Sequence, residues 1–549
     1  MEDMIFGTLA TDDLKLFYHR VSKNGLRHFS QISPLDPRPE ESVTITIDMG
    51  PEVSANKAAC YYTTDGSDPA GSRGIASNGQ VVLLERKEIK WDTFSWGYSS
   101  SWEGEIPGMM DGTKVQYRIS AWSTDGREIF ADWPDVQREV EKAAKAFFHD
   151  EPFPDGALDP DQNQGHLFAY HVDNFKPPQW AKEAVIYHIF LDRFFPGECN
   201  DWIQTSDPKG FFGGTLWGVA EKMDYIAELG ATAIWLSPIF SSPTVHGYDA
   251  TDYYSVEERL GGEEAFREMI AQARKRGIRI ILDLVCNHTS HLHPFFQEAL
   301  EDKNSPYRSW FFFDETEDHG YRSFFGVHSM PQVDLNHPDA RDWMLDITRY
   351  WLEEFEIDGY RLDFANGPNL DFWSDFWALT KKINPDSFCF AEVVETPWVL
   401  EKYQGRVDGV LDFHIADAIR RTYGRKSWSV ERFNSMLKQH EAYFKNDFVR
   451  PAFLDNHDMD RFQFIAGGNE EKLRQAAQVQ FQLAGPPIIY YGTEVGVGQT
   501  VSKTSEVGLE ASRGAMLWGD EQNKTMLSFY QGLIKERKEK RPWQNQTSS

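Results

Sequence analysis

Two periodicities divide the chain. Up to about residue 135, short runs alternate apolar and polar positions, as in Val43-Thr-Ile-Thr-Ile-Asp48, Ala59-Cys-Tyr-Tyr-Thr63 and Lys114-Val-Gln-Tyr-Arg-Ile-Ser120. Turn signals such as Thr64-Asp65-Gly66, Asp111-Gly112 and Thr124-Asp125-Gly126 separate them. Short half-buried strands at regular spacing predict a β-sandwich over residues 1–135. Residues 136–150 carry a helical pattern, and a Pro- and Asp-rich stretch runs from Glu151 to about Pro178, so 136–180 reads as a linker. From Ala184 onward, apolar runs alternate with amphipathic helical ones, the mark of parallel βα units. Eight runs qualify as strands: Val185–Phe190, Ala233–Leu236, Arg279–Val285, Gly359–Asp363, Phe388–Glu392, Gly409–Phe413, Pro451–Asn456 and Pro487–Tyr491. Helical runs accompany them, for example Glu263–Lys275 and Glu470–Ala484. Eight such units predict an α/β fold of the closed (β/α)8 barrel type. An open dinucleotide-binding sheet is disfavoured because no GxGxxG follows the first strand. The third unit makes a long excursion before its helix, so a lobe over 290–339 interrupts a barrel of residues 181–289 and 340–549.

Composition changes this picture mainly by exclusion. The 549 residues exceed what one core supports and suggest two to four domains. The formal net charge of −29 argues against nucleic acid and anionic membranes as partners and is compatible with a neutral substrate. Cys60, Cys199, Cys286 and Cys389 are scattered without CxxC spacing, so neither a disulfide framework nor a zinc site is expected. The N-terminus lacks a basic region followed by an apolar run, and no stretch of 18 apolar residues occurs. A cytoplasmic location is the expectation. The sequence does not specify the oligomeric state. The heavy aromatic load reads first as core; Trp91, Trp96 and Trp102 are expected to pack in the sandwich rather than form a sugar platform.

The strand ends carry the chemistry. In a βα barrel the working residues gather at the C-terminal ends of the strands. Here those ends read Asp283-Leu-Val-Cys-Asn-His288, Gly359-Tyr-Arg-Leu-Asp363, Ala391-Glu392 and Asp455-Asn-His-Asp458, where burial alone would select Val or Leu. Carboxylates on the fourth, fifth and seventh strands would converge on one bowl. Glycosidic cleavage needs an acid for the leaving oxygen and a carboxylate for the oxocarbenium-like centre. Like-charge neighbours would raise Glu392 towards the acid role. Arg361, two residues before Asp363, points the same way from its strand and would orient it.

These strings resemble the signature regions of the α-amylase family, glycoside hydrolase family 13. The first is Asp283–His288, the second Gly359-Tyr-Arg-Leu-Asp-Phe-Ala-Asn366, the third Ala391-Glu-Val-Val394 and the fourth Phe453-Leu-Asp-Asn-His-Asp458. Supporting motifs are Phe212-Gly-Gly, Leu236-Ser-Pro-Ile-Phe240, His246-Gly-Tyr-Asp249, Met330-Pro-Gln-Val-Asp-Leu-Asn336 and Ile489-Tyr-Tyr-Gly-Thr-Glu494. The resemblance implies Asp363 as nucleophile, Glu392 as general acid/base and Asp458 as transition-state stabiliser. It implies that Arg361, His288 and His457 bind the glucose beside the scissile bond, with Tyr248 stacked under it. The Asn366-Gly367 pair and an immunoglobulin-like N-domain are similar to those of cyclomaltodextrinases, neopullulanases and maltogenic amylases. That group's Trp two residues after the acid is Val394 here, and Trp398 is the candidate replacement. The last helical run, Met526–Lys540, leaves only nine residues, so the family's C-terminal β-domain is expected to be absent.

The expected activity is hydrolysis of α-1,4-glucosidic bonds in maltooligosaccharides, cyclodextrins or starch. The alternatives are a 4-α-glucanotransferase with the same triad and, more remotely, a non-catalytic glucan-binding or partner module. No cofactor is expected. A family calcium site would draw on Glu198, Asn200, Asp201 and the Gly213 carbonyl, but Pro196 and Thr215 stand where relatives often place ligands. Calcium is therefore an available but disfavoured ligand.

Overall fold

The computed structural model describes residues 12–124, 126–131, 139, 142–143, 146, 151–153, 165–197, 201–444 and 447–540. The helix expected over 136–150 lies largely outside them. By contacts the chain divides into two compact units. One comprises Met1–Phe175, Trp373–Ala378 and Thr396–Arg406; the other comprises Lys176–Phe372, Leu379–Glu395 and Val407–Ser549.

The first unit is an antiparallel β-domain. One long strand, Gln80–Asp92, serves two halves of a folded sheet: its start pairs with Lys57–Thr63 and its remainder with Gly97–Ile106. The inner faces supply one core, with Val43, Ile45 and Ile47 from one half and Cys60, Tyr62, Tyr117 and Ile119 from the other. Phe168–Val172, which the sequence pattern leaves inside a linker, is a further strand paired with Thr113–Trp122. Its Phe168, Tyr170 and Val172 are buried, so the same period-two burial that builds the sandwich recruits it. Of the three Trp residues expected to pack, only Trp102 does (5% exposed). Trp91 and Trp96 stand 47% and 77% exposed.

The second unit is the barrel, a (β/α)8 fold. Its parallel strands are β1 (Ile186–Ile189), β2 (Ala233–Leu236), β3 (Arg279–Val285), β4 (Gly359–Asp363), β5 (Phe388–Ala391), β6 (Gly409–Val410), β7 (Ala452–Phe453) and β8 (Pro487–Tyr490). They run in the order β6-β5-β4-β3-β2-β1-β8-β7. The ring closes between β6 and the segment leading into β7: Val410 N–H donates to Val449 O at 3.0 Å, and Val449 N–H donates to Asp408 O at 3.0 Å. Gly409 makes this seam possible, because a Cβ there would lie 1.9 Å from Val449 O. β6 and β7 have two residues each, shorter than the apolar runs suggest. The lobe after β3 contains the helix Pro294–Glu301 and isolated bridges Phe311 to Val333 and Phe313 to Tyr321.

Candidate active site

Strand alternation places Arg361 and Asp363 on one side of β4, and the β3–β4 register sets Asp283 opposite Arg361. The Arg361 guanidinium is fully buried. It donates through Nη1 to Asp283 Oδ1 and to Asp363 Oδ1, both at 2.8 Å, and its Nη2 lies 2.7 Å from Glu392 Oε2. Glu392 sits just past β5. Its N–H donates to Leu362 O at 2.9 Å, and its carbonyl accepts from Ala365 N–H at 3.0 Å, so both sides of the residue are tied to β4 and the turn after it. In that turn Phe364 adopts φ 39°, a sparsely populated region for a bulky residue. The conformation turns its N–H onto Glu392 Oε2 at 3.1 Å.

A second group grows from β7. Asp455 Oδ2 accepts from Phe462 N–H at 2.7 Å and Asn456 Oδ1 accepts from Asp458 N–H at 2.9 Å, which fix the turn. His457 Nε2 lies 2.7 Å from Tyr248 Oη and 3.1 Å from Asp458 Oδ2. The His457 and Tyr248 rings are parallel within 7°, with centroids 5.3 Å apart. Tyr248 Oη also donates to Asp283 Oδ2 at 2.9 Å, which joins the two groups. Asp458 Oδ1 meets Arg513 Nη2 at 3.0 Å. His288, at the end of β3, stacks on Phe324 of the inserted lobe at 4.8 Å.

The electrostatics follow from crowding charge among largely buried side chains. Burial raises Glu392 above the ordinary carboxylate range; Arg361 opposes this, and the charge of Asp458 adds to it. Burial also pushes Asp363 up, against Arg361 and with Glu392. One guanidinium faces three carboxylates, so their mutual repulsion adds to burial in favouring the protonated forms. Burial keeps the imidazoles neutral: His288 is lowered to about 3 and His457 falls well below its usual range. His288 Nε2 and His457 Nδ1 are buried with no protein partner among the described residues.

Of the residues singled out in the sequence, Asp363, Glu392, Asp458, Arg361, His457 and Tyr248 share this network. His288 borders it through Phe324, which meets Phe364 at 4.9 Å. Asn366 is half-buried in the turn after Phe364. Trp398 falls in the first unit, where its ring meets Phe29 edge-on at 6.1 Å and carries the Lys402 ammonium 4.3 Å above it. Glu198 and Asn200 lie outside the described residues; Asp201 is exposed. Gly213 uses its N–H, donated to Asp192 Oδ1 at 3.1 Å. No group of three or more His, Cys, Asp or Glu side chains among the described residues is arranged to hold a metal ion. Sequence reasoning assigned no role to Asp283 or Arg513. The first was signalled by its charge on the strand next to that of Asp363, where the register sets it opposite Arg361. The second sits in a loop with no periodicity to mark it.

A closed parallel barrel that brings three carboxylates, an arginine and a histidine–tyrosine pair to its strand ends defines a barrel enzyme built for acid–base and nucleophilic chemistry. Residues 188–546 match the family described as alpha amylase, catalytic domain, and the chain belongs to the α-amylase family of glycoside hydrolases. It is 34% identical over 540 residues to α-amylase 2 of Dictyoglomus thermophilum, covering 98% of this chain and 86% of that protein. It is 33% identical over 416 residues to a cyclomaltodextrinase of Geobacillus thermopakistaniensis, covering 72% and 68%. Among solved structures, the cyclic α-maltosyl-(1→6)-maltose hydrolase of Arthrobacter globiformis is similar, with a TM-score of 0.62 and 32% identity over 66% of this chain and 84% of that one.

Proposed function

We propose that the protein is a retaining hydrolase of α-1,4-glucosidic bonds in maltooligosaccharides, cyclodextrins or starch fragments. The observation that carries this reading is the single buried guanidinium that touches both Asp363 and Glu392. It draws the two carboxyl groups to one cation, an arrangement that suits the close pair a double displacement requires. Asp363 is the nucleophile, held by Arg361. Glu392 is the general acid/base, kept protonated in the resting state by burial and by neighbouring negative charge. Asp458 is the stabiliser that holds sugar hydroxyls as the oxocarbenium ion develops.

The unsatisfied Nε2 of His288 and Nδ1 of His457 are suited to hydroxyls of the glucose beside the scissile bond, since buried polar atoms seek partners. Tyr248 supplies an apolar ring face there. Asn366 lies in the turn beyond the nucleophile and faces the leaving portion of the chain in this reading. A net charge of −29 does not oppose a neutral substrate. Among the described residues no helix is long and apolar enough to cross a membrane. The cytoplasm is the proposed location, consistent with Cys60, Cys286 and Cys389 being buried free thiols.

Incubation with β-cyclodextrin, maltotriose and amylose, with products resolved by chromatography, tests the reading. Cyclodextrin or maltotriose should be cut faster per bond than amylose, and Asp363→Asn should lower turnover by roughly 10⁴-fold with the fold retained. Far faster cleavage of amylose would make the protein a polymer-acting amylase. Products longer than the substrate would make it a glucanotransferase. Full activity in Asp363→Asn would remove the proposed nucleophile.

A further inference from the structure

Asp458 is held by a chain of buried charges that reaches across three loops. Arg513, in the segment after β8, donates through Nη2 to Asp458 Oδ1 at 3.0 Å and through Nε to His457 O at 2.9 Å. Its Nη1 donates to Glu510 Oε1 at 2.7 Å. The other oxygen of Glu510 lies 3.2 Å from Arg193 Nη2, in the loop after β1, and Arg193 pairs with Asp192 at 3.1 Å. Arg513 is 5% exposed and its guanidinium lies 5.0 Å from the centroid of the Phe190 ring. A planar fork with one arm on a carboxylate, one on the preceding carbonyl and one on a second anchored carboxylate has little freedom to turn.

We propose that Arg513 is a positioning residue for Asp458: it fixes the orientation of this carboxylate and supplies the cation that faces it. The inference rests on Asp458 being a reacting carboxylate. His457 contacts the opposite oxygen at 3.1 Å, the Lys503 ammonium donates to the Asp458 carbonyl at 2.9 Å, and Arg513 forms an ion pair with the carboxylate itself. Other groups feel the same charge. Asp458 acts on Asp363, Glu392, Tyr248, His246 and His188. Arg513 in turn faces Glu510, Asp458, Tyr490 and Tyr248, and repels protons from His457 and His246. With both histidines neutral, the charge balance at Asp458 is set by Arg513 and Lys503 against the remaining carboxylates.

The sign of the expected effect is fixed. Removing a cation raises the pKa of a carboxylate that must be ionised, so the acid limb of the kcat/KM profile moves up. The test is that profile on maltotriose for the wild type, Arg513→Met, Arg513→Lys and Glu510→Gln, with circular dichroism to check folding. Arg513→Met should lose about 10²-fold in kcat and carry its acid limb up by about one pH unit. Arg513→Lys, which keeps the charge and loses the fork, should return the limb to its wild-type place while kcat stays reduced. Glu510→Gln removes an anion and should move the limb down, which keeps the test open if Arg513→Met does not fold. A rate loss in the Met variant with an unmoved limb, or limbs that move alike in the Met and Lys variants, would overturn the proposal. So would an unmoved or upward limb in Glu510→Gln. Asp458→Asn separates the two levels: if it keeps full activity, the reading of Asp458 itself fails, whereas an inactive Asp458→Asn with unmoved limbs in the other variants sinks only the role of Arg513.

Discussion

At Gly367 a Cβ atom would lie 2.0 Å from Asn287 Oδ1. Asn287 cannot retreat freely, because that oxygen accepts from Gln332 Nε2 at 2.8 Å and its amide nitrogen lies 3.2 Å from His288 Nδ1. Gly367→Ala should therefore cost about 1–3 kcal/mol of stability through overpacking, read as a lower urea midpoint, and lower kcat because the same turn carries Phe364 against Glu392. An unchanged midpoint would mean that the turn yields. The sequence marked the chemistry of this turn well, since Arg361 and Asp363 share a face by simple alternation and their charges stand where a barrel strand otherwise prefers aliphatic groups. Asp283 was harder to read. Its partner is a residue on the neighbouring strand, and cross-strand register is not written in either strand alone. Short spacing from Glu392 suggested Trp398, but spacing alone does not encode its ring contacts with Phe29 and Lys402.

The loop after β1 illustrates what an element does with buried oxygens. Arg193 donates to the carbonyls of Pro208 at 2.9 Å and Gly210 at 3.1 Å, and its guanidinium also contacts the carboxylates of Asp192 and Glu510. Phe212 lies 3.6 Å from the guanidinium. Oxygens from four residues are thus gathered by one side chain. Arg193→Met would leave the buried carboxylate of Asp192 without its cation, while Glu510 keeps Arg513, and should cost about 3–5 kcal/mol. EDTA should leave the wild-type Tm unmoved; a drop of several degrees, restored by Ca2+ and not by Mg2+, would contradict this. Elements with a strong period were legible from the pattern. The helix Gly262–Lys275 and the strands β2, β3 and β4 fall where apolar spacing puts them. Strand Phe168–Val172 escaped because its five residues gain their partner far back in the chain, at Thr113–Trp122, and the surrounding Pro and Asp residues dominated the local signal.

For the whole molecule, eight apolar runs in alternation with helices were enough to specify a closed parallel barrel, because few other folds bury so many short apolar strands on both faces. The contact-based units were less legible: Trp373–Ala378 and Thr396–Arg406 group with the N-terminal residues, a tertiary preference that no local pattern encodes. The barrel's service to chemistry is to bring groups 175 positions apart or more into one bowl, from Asp283 on β3 to Asp458 past β7. The central claim is that Asp363 and Glu392, joined by Arg361, act in two displacements. The most direct measurement is proton NMR of the anomeric signals in the first minutes of maltooligosaccharide hydrolysis. Double displacement predicts that the α-anomer of the new reducing end appears first and the β-anomer grows in later by mutarotation. A β-anomer that appears first would contradict the account.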